Sequence, residues 1–500
     1  MTEEQERHLR RQWFMWRLVL QYGIGFIVLV FFVTASLHFR YTPDDTYIYL
    51  QYGRNIARGE GFSFNAGTPS YGVTGPLWAL LIAAGAKLSL DPYIVAKTLD
   101  IVFASLSIIG VLAFAFILMR DRIYALIAAC IFSFDAWFLR WSGSGMETSL
   151  SILLVMLVLW YAYKKEYITS ALVVGLLTLV RPEGILLFLA VLVDRVINGK
   201  ERAAVIKTIL GSFLVYSIVV GSWLLYSYLQ FGTIVANTFQ AKSTEGTSLP
   251  LLWHFVMANF EIIGTTQILL ALFLVAGVIL VVRRSDWRTL REDGFPLLWV
   301  ILLPLCYVVM SVQVVSRYLL LILPLVVVYG VWGIKRLEVA SLVSPQRGLQ
   351  ILLVVAALSL AQNQLIYRMW IVPHMESFEL GTEECLKPIA YWLRSNSSPG
   401  TTVLTPDIGM LGYVSERTMY DTAGLLTLDV KRAFRGVSYD EGMKQRRYEQ
   451  VVHPDYVIDR SPVPERLASE SLKPVMTRTF SGLGLSKPEL EYYTLYKVMR

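Results

Sequence analysis

Apolar runs separated by short polar stretches fill the first three quarters of the chain. They fall at residues 18–37, 75–90, 101–119, 123–139, 150–163, 168–180, 185–193, 203–229, 262–282, 295–315, 319–334 and 349–366. About 20 apolar residues in a helix cross the roughly 30 Å of bilayer hydrocarbon, so this pattern predicts a polytopic α-helical membrane protein. No small-residue cleavage site follows 18–37, which is expected to stay as a first helix and not to be removed as a leader. After residue 366 the hydropathy collapses. A helix over 379–394, a turn over 395–400 and strands at 402–404 and 456–458 are expected there, in a small α/β domain.

Composition agrees with the pattern. The chain is 55% hydrophobic and 17% charged, with mean hydropathy +0.52, against about 25% charged in soluble domains. The net charge of +7 sits in clusters between apolar runs: Arg7/Arg10/Arg11/Arg17, Arg120/Arg122, Lys164/Lys165, Arg195/Lys200/Arg202/Lys207, Arg283/Arg284/Arg288/Arg291 and Lys335/Arg336/Arg347. No continuous basic face for nucleic acid results, and the positive-inside rule places all the clusters in the cytoplasm. That is consistent only if one of the three runs between Arg17 and Arg120 does not cross. The run 75–90, opened by Gly75-Pro76 and closed by Asp91-Pro92, is the short one and is expected to be re-entrant or interfacial. About eleven transmembrane helices remain, with the runs around Arg181 forming a broken or partly embedded pair. The expected organisation is a cytoplasmic segment 1–17, a membrane domain 18–368 with a first outer loop 38–92, and a soluble outer domain 369–500.

Candidate chemistry gathers on the outer side. Asp44 and Asp45 open the first loop, followed by an amphipathic stretch suited to the interface plane. One Asp suffices as an N-cap; two close carboxylates can divide labour as a base and an orienting or metal-binding group. Cations there stand singly, as Arg140, Arg181, Lys242 and Arg317, each either snorkelling to headgroups or lining a cavity. Arg181 and Glu183 read as a structural ion pair across the break, and Glu147 as a cap or a substrate contact. Tyr71 and Trp78 read as sugar-stacking or as interfacial belt residues. Cys130, Cys306 and Cys385 write no disulfide framework, and the five histidines show no zinc-ligand spacing. No cofactor is expected; a divalent cation at Asp44/Asp45 stays open, with no third ligand in view.

The ordered segments "DDTYIYLQYGRNIARGEGFSFN", "SYGVTGPLWALLIA", "GSGMETSL", "VRPEG", "FGTIVANTFQAK" and "RYLLLILP" resemble membrane-embedded GT-C glycosyltransferases that use polyprenyl-phosphate sugars. The likeness is nearest to terminal arabinofuranosyltransferases, and more distant to protein O-mannosyltransferases and the lipid A aminoarabinose transferase. It implies a GT-C fold with juxtamembrane helices in the first outer loop, in a bacterial cytoplasmic membrane, with the active site and C-terminal domain extracytoplasmic. It also implies inverting transfer of a sugar to a hydroxyl of a glycan, lipid or protein acceptor, with Asp44 as base and Asp45 orienting the acceptor. Lys242 and Arg317 are the expected phosphate clamps, with Arg140 in reserve, and Glu147, Tyr71, Trp78 and Asn237 the substrate contacts. The segment 407–425, "DIGMLGYVSERTMYDTAGL", resembles the opening of the soluble domain of arabinosyl-type relatives. Two rival readings are a flippase for lipid-linked sugars, which would show inverted repeats, and a non-catalytic assembly subunit.

Overall fold

The computed structural model describes residues 22–238, 249–312, 314–483 and 490–499. The bundle consists of α1 (Tyr22–Leu37), α2 (Asp44–Ala57), α3 (Pro76–Lys87), α4 (Pro92–Met119), α5 (Arg122–Ser133), α6 (Ala136–Trp141), α7 (Thr148–Tyr163), α8 (Tyr167–Val180), α9 (Gly184–Asn198), α10 (Arg202–Phe231), α11 (Leu249–Arg283), α12 (Trp287–Asp293), α13 (Phe295–Val309), α14 (Ser316–Leu319), α15 (Leu323–Val339) and α16 (Pro345–Ile366). Helix α15 is the central post: every residue from Leu323 to Ile334 is buried. It meets α11 through glycine. A Cβ on Gly333 would lie 2.0 Å from the Phe273 carbonyl oxygen, and one on Gly330 2.6 Å from that of Leu270. Such small-residue contacts let helix backbones approach where lipid supplies no hydrophobic drive.

Polar punctuation inside the apolar runs sets the helix boundaries. Asp135 divides the run 123–139 into α5 and α6: its Oδ1 caps α6 by accepting from the Trp137 and Phe138 amides. Its other oxygen accepts from Gln267 Nε2, where α11 departs from helical geometry. The run 295–315 ends as helix at Val309. Among the described residues, four helices are long and apolar enough to span: Pro92–Met119, Arg202–Phe231, Leu252–Arg283 and Pro345–Asn396. The pair α12 and α13, bent by 66°, makes a fifth if taken as one crossing. The remaining apolar helices are shorter, so length alone marks fewer spans than the eleven expected. Helix α3, on the run expected not to cross, has 12 residues and reaches only about 18 Å.

The helix that starts at Pro345 runs through residue 369 without a break, by way of π-turns at Tyr367–Ile371 and Thr382–Leu386, with α17 (Val372–Gly381) between them and α18 (Lys387–Asn396) beyond. The C-terminal α/β part follows, with β1 (Thr402–Thr405), α19 (Gly409–Ser415), β2 (Thr418–Asp421), α20 (Leu428–Ala433), α21 (Tyr439–Lys444), β3 (Tyr456–Ser461), β4 (Leu472–Phe480) and β5 (Glu491–Val498). The strand order is β2-β1-β3-β5-β4, parallel across β2, β1 and β3 and antiparallel from β3 to β5 to β4. The expected helix and both expected strands lie within this α/β unit.

Candidate functional site

A cavity of about 310 Å3 lies between the first loop and the bundle. Four pieces of chain converge on it: one face of α2, the glycine-rich segment before α7, the break between α8 and α9, and α14. Each is shaped by its sequence. Pro182 disfavours a helical residue before it, so Arg181 leaves α8 in extended geometry, at φ −141° and ψ 113°. Its side chain enters the bundle. The segment Gly143-Ser144-Gly145 needs glycine at both ends, with φ of +91° and +84°, where other residues are strained. That turn delivers Glu147.

The charged side chains are paired in a way the sequence did not predict. Arg317 donates from Nη2 to Asp45 Oδ2 and lies over the Trp141 ring, 5.3 Å from its centroid. Arg181 pairs with Glu147 at 2.8 Å, not with Glu183, because the extended Arg181 points across the cavity. Glu183 instead accepts from the Tyr307 hydroxyl at 2.8 Å. The Nε groups of Arg317 and Arg181 are buried and make no hydrogen bond among the described residues. A buried donor without an acceptor carries a desolvation cost, so an arriving anion would be held by both. Around them the wall is apolar, with Ile48, Val73, Met146, Ile185, Leu186, Met310 and Val312.

Two residues that the sequence reading passed over hold this geometry. Lys97, fully buried in α4, donates to the Tyr41 carbonyl at 2.5 Å and the Gly143 carbonyl at 2.8 Å. Asp100, one turn on, accepts from the Gly143 and Gly145 amides, both at 2.9 Å, and from Ser144 and Ser149. The pair thus ties the entry to Asp44-Asp45 to the turn that carries Glu147. An ionisable residue inside an apolar helix is the signal that could have found them.

Asp44 does not line the cavity. Its carboxylate accepts from the Gly409 amide at 2.9 Å and the Met410 amide at 2.8 Å, seating the start of α19 on the start of α2. Desolvation, reinforced by neighbouring Asp407, pushes the Asp44 carboxyl up to about 7 against the pull of those two N–H donors. Asp407 itself accepts from Arg460 at 2.9 Å and from the Tyr493 hydroxyl at 2.6 Å. The seat is widened by Asn65, which exchanges two hydrogen bonds with the Met419 backbone, and by the pair of Arg54 with Glu416 at 3.2 Å. Asp421, buried, gathers the amides of Leu425, Leu426 and Thr427, and Leu425 forms part of the cavity wall. The C-terminal α/β part therefore closes the site.

The other candidates lie elsewhere. Arg140 is buried but turned towards the Tyr41 hydroxyl and His374. Trp78 is fully buried, its indole donating to the Gly145 carbonyl; Tyr71 stacks on Phe231 and accepts from Trp223. Asn237 donates from its amide to Tyr71 and from its side chain to Leu425. All three hold protein partners and none lines the cavity. Lys242 lies outside the described residues. A divalent cation at Asp44/Asp45 would have to displace two amides and Arg317, and among the described residues no group of three His, Cys, Asp or Glu could hold a metal.

Residues 375–496 match a family described as "Domain of unknown function (DUF8728)". No protein of curated function matches the chain in sequence. Solved structures do resemble it in fold. The oligosaccharyltransferase AglB of Archaeoglobus fulgidus, in complex with an inhibitory peptide and a dolichol-phosphate, superposes at TM-score 0.56 and 12% identity, over 88% of this chain and 69% of its own. The same archaeal enzyme tethered to an acceptor peptide gives 0.57 at 13% identity, with the same shares. The mycobacterial arabinofuranosyltransferase AftD gives 0.51 at 17%, over 96% of this chain and 40% of its own; this chain spans well under half of that protein. At these identities the likeness is one of fold alone, shared with an archaeal oligosaccharyltransferase and a mycobacterial arabinofuranosyltransferase.

Proposed function

We propose that the protein is an inverting membrane glycosyltransferase that moves a sugar from a polyprenyl-phosphate donor to a hydroxyl of an extracytoplasmic glycan, lipid or protein acceptor. The observation that carries this reading is the cavity itself, which has apolar walls, a partly exposed carboxylate at Asp45 beside those of Glu147 and Glu183, and two arginines with unengaged buried N–H groups. Two further facts support it: the fold shared with those transferases, and the presence of dolichol-phosphate and acceptor peptide in the archaeal neighbours' complexes.

A prenyl phosphate is a good leaving group that needs positive charge more than a proton, and Arg317 and Arg181 stand where they could supply it. The acceptor hydroxyl needs a base. Asp45, the member of the pair that faces the cavity, takes that role, and Asp44, expected as the base, anchors the C-terminal α/β part. Arg317 holds Asp45. Phosphate competes for the same guanidinium and so frees the carboxylate once the donor is in place. The acceptor oxygen then bonds to the anomeric carbon as the carbon–phosphate oxygen bond breaks, the proton passes to Asp45, and the prenyl phosphate departs with the negative charge. A second, open cavity of about 630 Å3 on the other side of α2 offers the acceptor a path. Tyr47, Tyr93 and Tyr413 group there, with ring centroids 6.5 and 5.9 Å apart, beside Glu379 and Asp91, a mix of stacking faces and hydroxyl acceptors suited to carbohydrate.

Purified protein incubated with a panel of polyprenyl-phosphate sugars and an acceptor should release prenyl phosphate. Asp45→Asn should lower turnover by about 10²-fold or more while donor binding stays at least as tight, because Arg317 is released. An Asp45→Asn protein with normal turnover would overturn the assignment of the base. Movement of intact lipid-linked sugar across vesicles without turnover would replace the whole reading by a flippase.

A further inference from the structure

At the end of the bundle away from the cavity, a groove of about 560 Å3 opens between α4, α5 and α7. Its floor is apolar, with Ile109, Leu112, Phe116 and Trp160, and its mouth carries Arg120, Arg122 and Lys164. We propose that this groove binds an anionic phospholipid, its acyl chains along α4 and its phosphate among the three cations. The cations come from three different elements. Arg120 caps α4 in left-handed geometry, at φ +53°, and that tight turn sets Arg122, the first residue of α5, beside it. Lys164 follows the last turn of α7 and lies over the Trp160 ring, 4.5 Å from the centroid. Ile109 and Phe116 are exposed, as lipid-facing side chains are.

None of the three cations makes an ion pair among the described residues. Asp121, the acid between two of them, is occupied on both oxygens: one caps α5 and the other takes Lys335 at 2.9 Å. Three unneutralised cations around one apolar groove at a helix end are the arrangement that recognises a lipid phosphate, whereas cations that merely set orientation need share no groove. Arg284, exposed beyond the end of α11, is a cation of that second kind.

The test uses the full-length protein in detergent, with retention of palmitoyl-oleoyl phosphatidylglycerol and of the matching phosphatidylcholine read by native mass spectrometry. Phosphatidylglycerol should be retained in preference. Each cation near an anionic headgroup strengthens attraction about fivefold, so the triple variant Arg120→Asn, Arg122→Gln, Lys164→Gln should weaken retention on the order of a hundredfold. Asn tolerates the left-handed position, and an unchanged melting temperature in lipid-free detergent should show that the fold is kept. Restoring charge with Arg122→Lys in place of Gln should recover part of the binding, and Arg284→Gln should leave it unchanged. Equal retention of phosphatidylcholine, undiminished binding in the triple variant, an equal loss in Arg284→Gln, or displacement of the lipid by millimolar inorganic phosphate would each overturn the proposal.

Discussion

Two arginines of the cavity hold carboxylates, and their environments set what each removal does. Glu147 is 2% exposed in its side chain and Arg181 5%, so Arg181→Ala leaves a buried, unpaired carboxylate and should cost about 3–5 kcal/mol. Asp45 is 39% exposed in its side chain, so water can replace Arg317, and Arg317→Ala should cost no more than about 1 kcal/mol. Donor affinity should nevertheless fall about 10- to 100-fold in Arg317→Ala, the usual scale for a lost charge-assisted bond. Thermal melts alongside donor titrations separate the two: equal destabilisation would mean that Asp45 is not open to solvent. Asp44 behaves differently again. Its carboxyl is raised from 3.8 to about 7 in the folded protein, so its protonated form is the one folding favours. The stability it contributes is fully present below pH 3.8 and is lost as the pH rises through about 7. The difference in melting temperature between wild type and Asp44→Asn should therefore shift against wild type across that window and level off above it; a difference independent of pH would show that Asp44 does not titrate there.

At the level of elements, the legible features were those written in local chemistry. The break at Pro182, the short helix between Gly75 and Asp91 and the strands at 402 and 456 follow from proline, capping and period, and lie where they were expected; the helix at Asp44-Asp45 forms there too, but without a side-chain cap. Pairings across elements were not legible, because a charge's partner depends on which way a break or a turn sends it. Arg181 reached Glu147 and not Glu183 for that reason, and Asp44 met the amides of α19, 365 residues further along. Lys97 and Asp100 lie in the polar stretch before the run 101–119, and that they belong to the apolar helix α4, with the roles they have there, became visible only once α4 and the turn at Gly143 were in place. Gly409 shows how tight one of these long-range joints is. A Cβ there would lie 2.0 Å from the Asp44 carbonyl oxygen, and backbone cannot give way as a flexible side chain can. Gly409→Ala should therefore lift α19 from α2. In hydrogen exchange, the amides of 409–415 and of the first turn of α2 should exchange at least about tenfold faster, while β1, β3 and β5 keep their protection. Faster exchange throughout the sheet would instead mean that the substitution unfolds the C-terminal α/β part.

For the whole molecule, the arrangement depends on which side of the membrane the site occupies, and charge gives the reason for the expected answer. Arg120, Arg122, Lys164, Lys335 and Arg336 gather at one end of the bundle, linked through the contacts of Lys335 with Asp121 and of Arg336 with Asp286. The cavity and the C-terminal α/β part lie at the other end, since α4 starts beside α2, where Tyr93 stacks on Tyr47, and ends at Arg120. At about 1.5 Å per residue its 28 residues extend roughly 42 Å, more than the hydrocarbon thickness. The two ends therefore belong to opposite faces. Cations near helix ends favour the cytoplasmic face, so the site and residues 402–499 should be extracytoplasmic, where a polar acceptor and a lipid-bound donor can both arrive. Ser395, exposed at the end of α18, reports this directly. With the three native cysteines replaced by alanine, a cysteine at Ser395 should be labelled by an impermeant maleimide in intact cells, and one at Arg284 only after the membrane is opened. The reverse result would turn the molecule over and place the acceptor groove in the cytoplasm. That would remove the extracytoplasmic acceptor from the proposed function and leave the geometry of the cavity as it stands.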